Sequence, residues 1–441
     1  MPSVIIIGGG LAGLASAAAL GAAGFHVDLY ESRGFLGGRA TSFPVTPGED
    51  DSELIDNCQH VLLRCCVNLL DFYTRLGVAG RIRFYREFYF LEPGGRLSKL
   101  MRGGMAAPFH LTSSFMRMPC LGAADKFAIT RAMLALMRER RVRTDLDRIT
   151  MLDWLREKNQ TSRAIERFWR QVLVSAVNEE LDRMAALHGF QVFWLGMLAR
   201  SDSYEMGIPQ VPLRELYAMD AWSRIGRVKL HPRIPVERVI FRHGAAYGIQ
   251  IANGVPTADY LISAVPFERL GALAPELGID TTPFEHSPIT GIHVWFDQAV
   301  TDLPHAALLD RTIQWMFNKS EGRYLQFVVS ASRGLIEMGR GEVVELVLRE
   351  AAEFFPRVRD AKVERTAVIK EVRATYSARP GIEPARPDAK TGVPNIFLAG
   401  DWTRSGWPAT MEGAVRSGYR AAEAVSAAAG QPARFLLPDI A

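Results

Sequence analysis

The 441-residue chain is poor in cysteine, poor in net charge and short of uninterrupted apolar runs, and each shortage narrows what it can be. Its four cysteines, Cys58, Cys65, Cys66 and Cys120, form no CxxC pair and have no paired histidine spacing. A disulfide framework and a metal site are therefore not expected, and a reducing, cytoplasmic compartment fits better. The formal net charge is only +4, from 52 Lys and Arg against 48 Asp and Glu. So small an excess argues against a nucleic-acid partner. Val4 to Phe25 carries no charge, yet no Lys or Arg precedes it and Gly8-Gly9-Gly10 interrupts it. A secretory leader needs basic flanks and a spanning helix needs continuity, so neither is expected. No repeat is present, and the only biased stretch is the Ala-rich tail Ala421 to Ala429. What remains, 48% hydrophobic and 10% aromatic with 38 Gly and 24 Pro, is a globular make-up. It has room for two or three cores or for one large α/β enzyme.

The first forty residues carry the sharpest pattern. Val4-Ile5-Ile6-Ile7 suits a parallel strand buried on both faces. Gly8, Gly10 and Gly13 then occupy the three glycine places of GxGxxG, and Ala12 to Gly24 reads as a small-residue crossover helix. His26 to Glu31 is a second strand ending in an acid, 18 residues past Gly13. Each part has a physical task. Gly8 permits a tight turn, Gly10 admits a pyrophosphate to the backbone, and Gly13 lets helix and strand touch. The amides of Leu11, Ala12 and Gly13 at the helix N-terminus face the phosphates. Glu31 can accept both hydroxyls of an adenosine ribose and would repel a 2′-phosphate.

Further signals follow at a distance. Leu36-Gly37-Gly38-Arg39 stands a few residues beyond Glu31. At the far end, Asn395 to Asp401 reads as a buried strand closing on Gly400 and Asp401, and Thr410-Met411-Glu412-Gly413-Ala414 opens a helix with Thr410 as N-cap. Between them, residues 227–230, 235–240, 247–251 and 259–266 read as strands, with a turn at His243-Gly244.

Together these motifs resemble the flavin-containing amine oxidase and phytoene desaturase superfamily. The resemblance implies non-covalent FAD, with Gly37, Gly38 and Arg39 continuing the dinucleotide site and the backbone at Val236 meeting adenine. It places Asp401 on the ribityl hydroxyls, Gly400 beside it, and the amides near Thr410 and Met411 at the flavin pyrimidine, where a helix N-terminus favours negative charge. The expected fold is α/β: a Rossmann-type FAD-binding domain from three segments, 1–60, 222–275 and 390–441. An α+β substrate-binding domain comes from 61–221 and 276–389. Within it, residues 100–145 look mostly helical and rich in Met and Phe. They end in Arg138 to Arg143, which suits either a membrane-facing port or an ordinary internal helix. Phe190 to Trp194 and Trp295-Phe296 read as core or as aromatic walls.

A narrower resemblance rests on Ile55-Asp56-Asn57-Cys58-Gln59-His60-Val61-Leu62-Leu63, Gly400-Asp401-Trp402-Thr403 and Glu412 to Gly418. It is to the hydroxysqualene dehydroxylases, the squalene-associated FAD-dependent desaturase-like group of bacterial squalene and hopanoid synthesis, although Cys58 stands where that group has glycine. It implies hydride delivery to an apolar isoprenoid with loss of water, under a proton donor. His60 is the candidate donor, with Asp56 holding its tautomer. Trp295 and Trp407 are candidates for stabilising an allylic cation. A carotenoid desaturase is the nearest alternative, with electrons flowing the other way. An amine oxidase fits less well, since no lysine lies between Lys229 and Lys319. A flavin-binding scaffold that docks a prenyl synthase of the squalene pathway at the membrane is the non-enzymatic reading. No second GxGxxG promises a nicotinamide site, so the electron donor is expected to be external.

Overall fold

A computed structural model describes residues 1–46 and 53–440. One sheet is all parallel: β1 (Ser3–Ile7), β2 (His26–Glu31), β3 (Val228–Pro232), β4 (Tyr260–Ser263) and β5 (Ile396–Leu398), in the order β3-β2-β1-β4-β5. Val4 stands opposite Val27 on one side and Tyr260 on the other, so β1 is central. The β-branched run suits a strand whose Val4 to Ile7 are all buried. The three chain stretches that the sequence singles out thus meet in one Rossmann-type sheet.

Around this sheet lie α1 (Leu11–Ala22) and α2 (Val67–Arg75). Helices α3 (Thr112–Arg117) and α4 (Ala123–Glu139) belong to a second, larger core, and α5 (Met411–Ala428) returns to the sheet. Small residues let α1 and α5 approach closely. A Cβ on Gly418 would collide with the Ala12 carbonyl, and the Ser16 hydroxyl donates to the carbonyls of both Ala12 and Gly418 at 2.9 Å. The layer also takes in α2, which packs with α1 and α5 in one apolar cluster. A hairpin of Arg238–Arg242 and Ala245–Gln250 turns at His243-Gly244, both at positive φ.

The second sheet has seven strands in the order 363–376, 286–296, 324–330, 315–320, 305–308, 87–91 and 97–101. Its pairings are antiparallel except between 305–308 and 87–91. The 100–145 stretch starts as the last strand, runs through a loop over 102–111 and only then becomes α3 and α4. Gly103-Gly104 and Pro108 account for the late start. Phe190 and Phe193 are core: they lie edge-on to Trp154 and Trp169, with ring centroids 4.9 and 4.7 Å apart. Among the described residues, no helix is long and apolar enough to cross a membrane.

Candidate active site

Three turns converge at the C-terminal end of the parallel sheet. Gly8 sits at φ 110° with its missing Cβ against the Ala264 carbonyl, and this turn carries the chain from β1 into α1. Gly10 caps α1 without a side chain, and the amides of Leu11, Ala12 and Gly13 find no acceptor among the described residues. Space is left in front of them: a Cβ on Gly10 would meet nothing nearer than Gly38 Cα at 4.0 Å. Glu31 closes the turn from β2, accepting from Gly9 N at 2.8 Å and Arg33 N at 2.7 Å. Val236 lies in the extended segment after β3, its backbone N–H and C=O bonded to no described residue. Unsatisfied helix amides, an open glycine floor, a terminal acid and a free peptide edge fit a pyrophosphate, a ribose and an adenine in sequence.

Arg39 ties the second half of the site to the first. Gly37 and Gly38, at φ 100° and 65°, turn the chain beneath Gly10, and Gly37 N donates to the Gly9 carbonyl at 2.8 Å. The Arg39 guanidinium then donates to Asp401 at 2.7 Å and the Ala374 carbonyl at 2.8 Å. Its own carbonyl accepts from Asn57 Nδ2 at 3.0 Å. The GGR turn, the Asp56-Asn57-Cys58 segment and the Gly400-Asp401 turn therefore form one unit across more than 340 residues of chain. Thr410 caps α5 as expected, its hydroxyl accepting from Gly413 N at 3.0 Å. The Met411 and Glu412 amides are thereby left at the helix mouth.

The Asp56–His60 pair expected from the sequence does not form. Asp56 is 3% exposed and fully engaged elsewhere. It accepts from the Ser42 hydroxyl at 2.8 Å, Leu213 N at 3.0 Å and Lys319 Nζ at 3.1 Å. It is a buried strap rather than a partner for imidazole. His60 instead bonds through Nδ1 to the Cys58 carbonyl at 2.9 Å. A carbonyl only accepts, so Nδ1 carries the proton and Nε2 keeps its lone pair, with the Cys58 sulfur 4.0 Å from it. Burial lowers the His60 pKa, the Cys58 carbonyl partly offsetting this. A neutral imidazole whose single N–H is committed is built to accept a proton. The sequence reading has His60 as a donor, and this geometry leaves Nε2 able to accept instead. Beside it, Val61 and Leu63 pack against the largest apolar core, which includes Met206, Ile208 and Phe317. His60 thus stands where the polar flavin-side cluster meets an apolar interior.

The aromatic candidates are also occupied. Trp295 is stacked on Tyr324 at 4.2 Å between centroids and covered by Arg365 at 3.9 Å. These are its two cross-strand neighbours, so neither ring face is open. Trp407 is buried and donates to Asp439 at 2.9 Å.

Three residues escape sequence reasoning. Lys319 reaches Asp56 and Gln59 (3.0 Å) from the strand 315–320; no lysine lies on 286–296, but this one arrives from two strands away. Arg386 is fully buried, its Nη2 donating to the carbonyls of Asp401, Thr403 and Trp407 and to the Ser405 hydroxyl at 2.6–3.1 Å. It moulds the loop between β5 and α5. Glu412 of the MEGA motif turns away from the site and caps α2, accepting from Leu69 N at 2.7 Å and Asn68 Nδ2 at 2.8 Å. Only the scarcity of lysine could have drawn attention to the first, and nothing local marks the other two.

Comparison with known proteins agrees with this architecture. The chain is 27% identical to a probable zeta-carotene desaturase of Synechococcus elongatus, covering 96% of this chain and 98% of that one. It is 24% identical to the 15-cis-phytoene desaturase of the same organism, covering 96% of each. An oxidoreductase of known structure from Methanosarcina mazei superposes with a TM-score of 0.72 at 17% identity, covering 94% of this chain and 98% of that one. Residues 11–426 match the family described as flavin containing amine oxidoreductase. A match over almost the whole chain, on a fold whose glycine turns and helix mouths are in place, makes the protein a member of the flavin containing amine oxidoreductase family.

Proposed function

We propose that the protein is an FAD-dependent desaturase acting on a long, apolar polyisoprenoid of the carotenoid type. The observation that carries this reading is the placement of His60: a neutral imidazole held through Nδ1 by the Cys58 carbonyl, one residue before Val61, which packs with Leu63 on the largest apolar core. Full-length similarity to zeta-carotene and phytoene desaturases supports the same substrate class. Introducing a double bond removes a hydride from one carbon and a proton from its neighbour. FAD, when bound, supplies the hydride acceptor. His60 Nε2 takes the proton, the Cys58 carbonyl holds the ring in the required tautomer, and the apolar wall excludes water from the chain. Non-covalent attachment is supported by Cys58, the cysteine in the site, whose thiol is pushed up to about 12 by burial, with Glu371 and Asp56 adding to it. A protonated thiol does not attack a flavin.

A second reading, reductive dehydroxylation of hydroxysqualene, is favoured by the Ile55 to Leu63 segment and its likeness to that group. It requires an imidazole that arrives protonated, which the burial of His60 opposes. The test is product analysis with flavin-loaded protein and an external acceptor, offering a carotenoid precursor and hydroxysqualene in separate mixed-micelle assays. The proposal expects the polyene to lose two hydrogens. Squalene formed from hydroxysqualene, with the polyene untouched, would replace it by the second reading.

A further inference from the structure

We propose that α3, α4 and the 102–111 loop form a docking surface for an anionic lipid bilayer. The outward side chains there are large and apolar. Phe127 on α4 is 71% exposed, Met116 on α3 54%, and Phe109 in the loop 51%. They make one patch, because their supports are joined. Lys126 Nζ donates to the Met116 carbonyl at 2.8 Å, linking α4 to α3. The Ser114 hydroxyl bonds Met101, and Gly103 N donates to the His110 carbonyl, folding the loop onto α3. On α4, Phe127, Arg131, Leu134 and Arg138 are all exposed. Their spacing of four, three and four residues puts them in one stripe where apolar and cationic groups alternate.

The charge of this surface is one-sided. Residues 101–138 hold four arginines and Lys126 against a single acid, Asp125. Asp125 is buried, accepting from Gly122 N and the Thr161 hydroxyl. Arg102, Arg117, Arg131 and Arg138 are all exposed, and none pairs with a carboxylate among the described residues. The neighbouring Arg143, by contrast, is engaged by Glu139, Asp145 and Glu157. Large apolar groups ringed by unpaired cations match the boundary between acyl chains and anionic headgroups. Behind the surface, Phe115, Met118, Ile129 and Leu136 point into the same apolar core that reaches Trp402 and Ala409, beside Asp401. Continuous apolar packing thus runs from the proposed bilayer contact to the candidate active site.

Docking is independent of what the enzyme converts, so it is measured without substrate. The full chain is floated with vesicles of phosphatidylcholine alone and of phosphatidylcholine with phosphatidylglycerol. At least tenfold greater partition to the anionic vesicles is expected. Phe127→Asp with Met116→Asp should lower it at least tenfold, and Arg117→Glu with Arg138→Glu should remove the preference for anionic lipid. Val372→Asp, at an exposed apolar residue on the strand 363–376, should change neither. Near-ultraviolet circular dichroism checks that each variant is folded. For any variant that is not, the wild type at high salt replaces it, and its anionic binding should fall steeply. Absence of vesicle binding, or binding indifferent to these variants and to salt, would overturn the proposal. So would self-association relieved by Phe127→Asp without vesicle binding, which would make the patch a contact between copies of the chain.

Discussion

In the proposed desaturation, a single side chain, His60, decides the chemistry. Its commitment through Nδ1 to the Cys58 carbonyl leaves Nε2 as the ring's basic atom, one residue before Val61, which packs on the apolar interior. Burial keeps that atom unprotonated at neutral pH. Replacing it by Gln in the His60→Gln variant should lower kcat by about 10²–10⁴-fold, the usual contribution of a positioned base, with little change in KM. The wild-type pH profile should lose activity on the acid side with an apparent midpoint below 6.5, and the variant should lack that limb. The sequence made His60 a candidate donor paired with Asp56, and the structure does not form that pair. Asp56 is only four residues away, and nothing in the sequence says that Ser42, Leu213 and Lys319 will occupy that carboxylate first. Tautomer is a tertiary property, and the sequence alone does not assign it.

At the scale of elements, the site is held by helix contacts that tolerate no added atom. The Gly418 backbone lies on the Ala12 carbonyl, so Gly418→Ala should push α5 off α1. A loss of about 1–3 kcal/mol is expected, as for other overpacked contacts, with weaker flavin retention. Urea unfolding and flavin absorbance after gel filtration check both. Glu412 reaches from the first turn of α5 to cap α2. Glu412→Ala leaves buried donors of Asn68 and Leu69 unpaired and should cost about 2–3 kcal/mol in the same unfolding measurement. β1, α1 and β2, with Gly8 to Gly13 and Glu31, were legible because each local signal agreed with its neighbour along the chain. β5 and Thr410 were legible for the same reason. The capping task of Glu412 was not, because the donors it accepts from lie some 340 residues upstream. The late start of α3 follows from Gly103, Gly104 and Pro108 in a stretch that the sequence reads as mostly helical.

Across the whole molecule, several histidines are buried neutral. His188, His293 and His305 are each lowered to about 4, burial being the main cause. The unfolded chain binds those protons near 6.5 and the folded one does not. Their contribution to stability is therefore complete above 6.5 and is lost as pH falls from there towards 4. By pH 5 this amounts to about 2 kcal/mol per histidine. The thermal midpoint should fall clearly between pH 7 and pH 5, and a flat profile would contradict the burial of these rings. The α/β architecture and the convergence of three chain segments on one sheet were visible in the sequence, because parallel strands buried on both faces are simple to recognise. The seven-stranded sheet was not, since its pairings join residues 87–101 to 286–376 without any local mark.

The central claim is that this flavin fold withdraws hydride from an apolar polyene. The most direct measurement is anaerobic titration of the purified, oxidised, flavin-loaded protein with a carotenoid precursor, following flavin absorbance and extracting the lipid. The account predicts bleaching of the flavin in step with the appearance of one new double bond. An oxidised flavin left unchanged by polyenes, together with a reduced flavin that hydroxysqualene reoxidises as squalene forms, would contradict it.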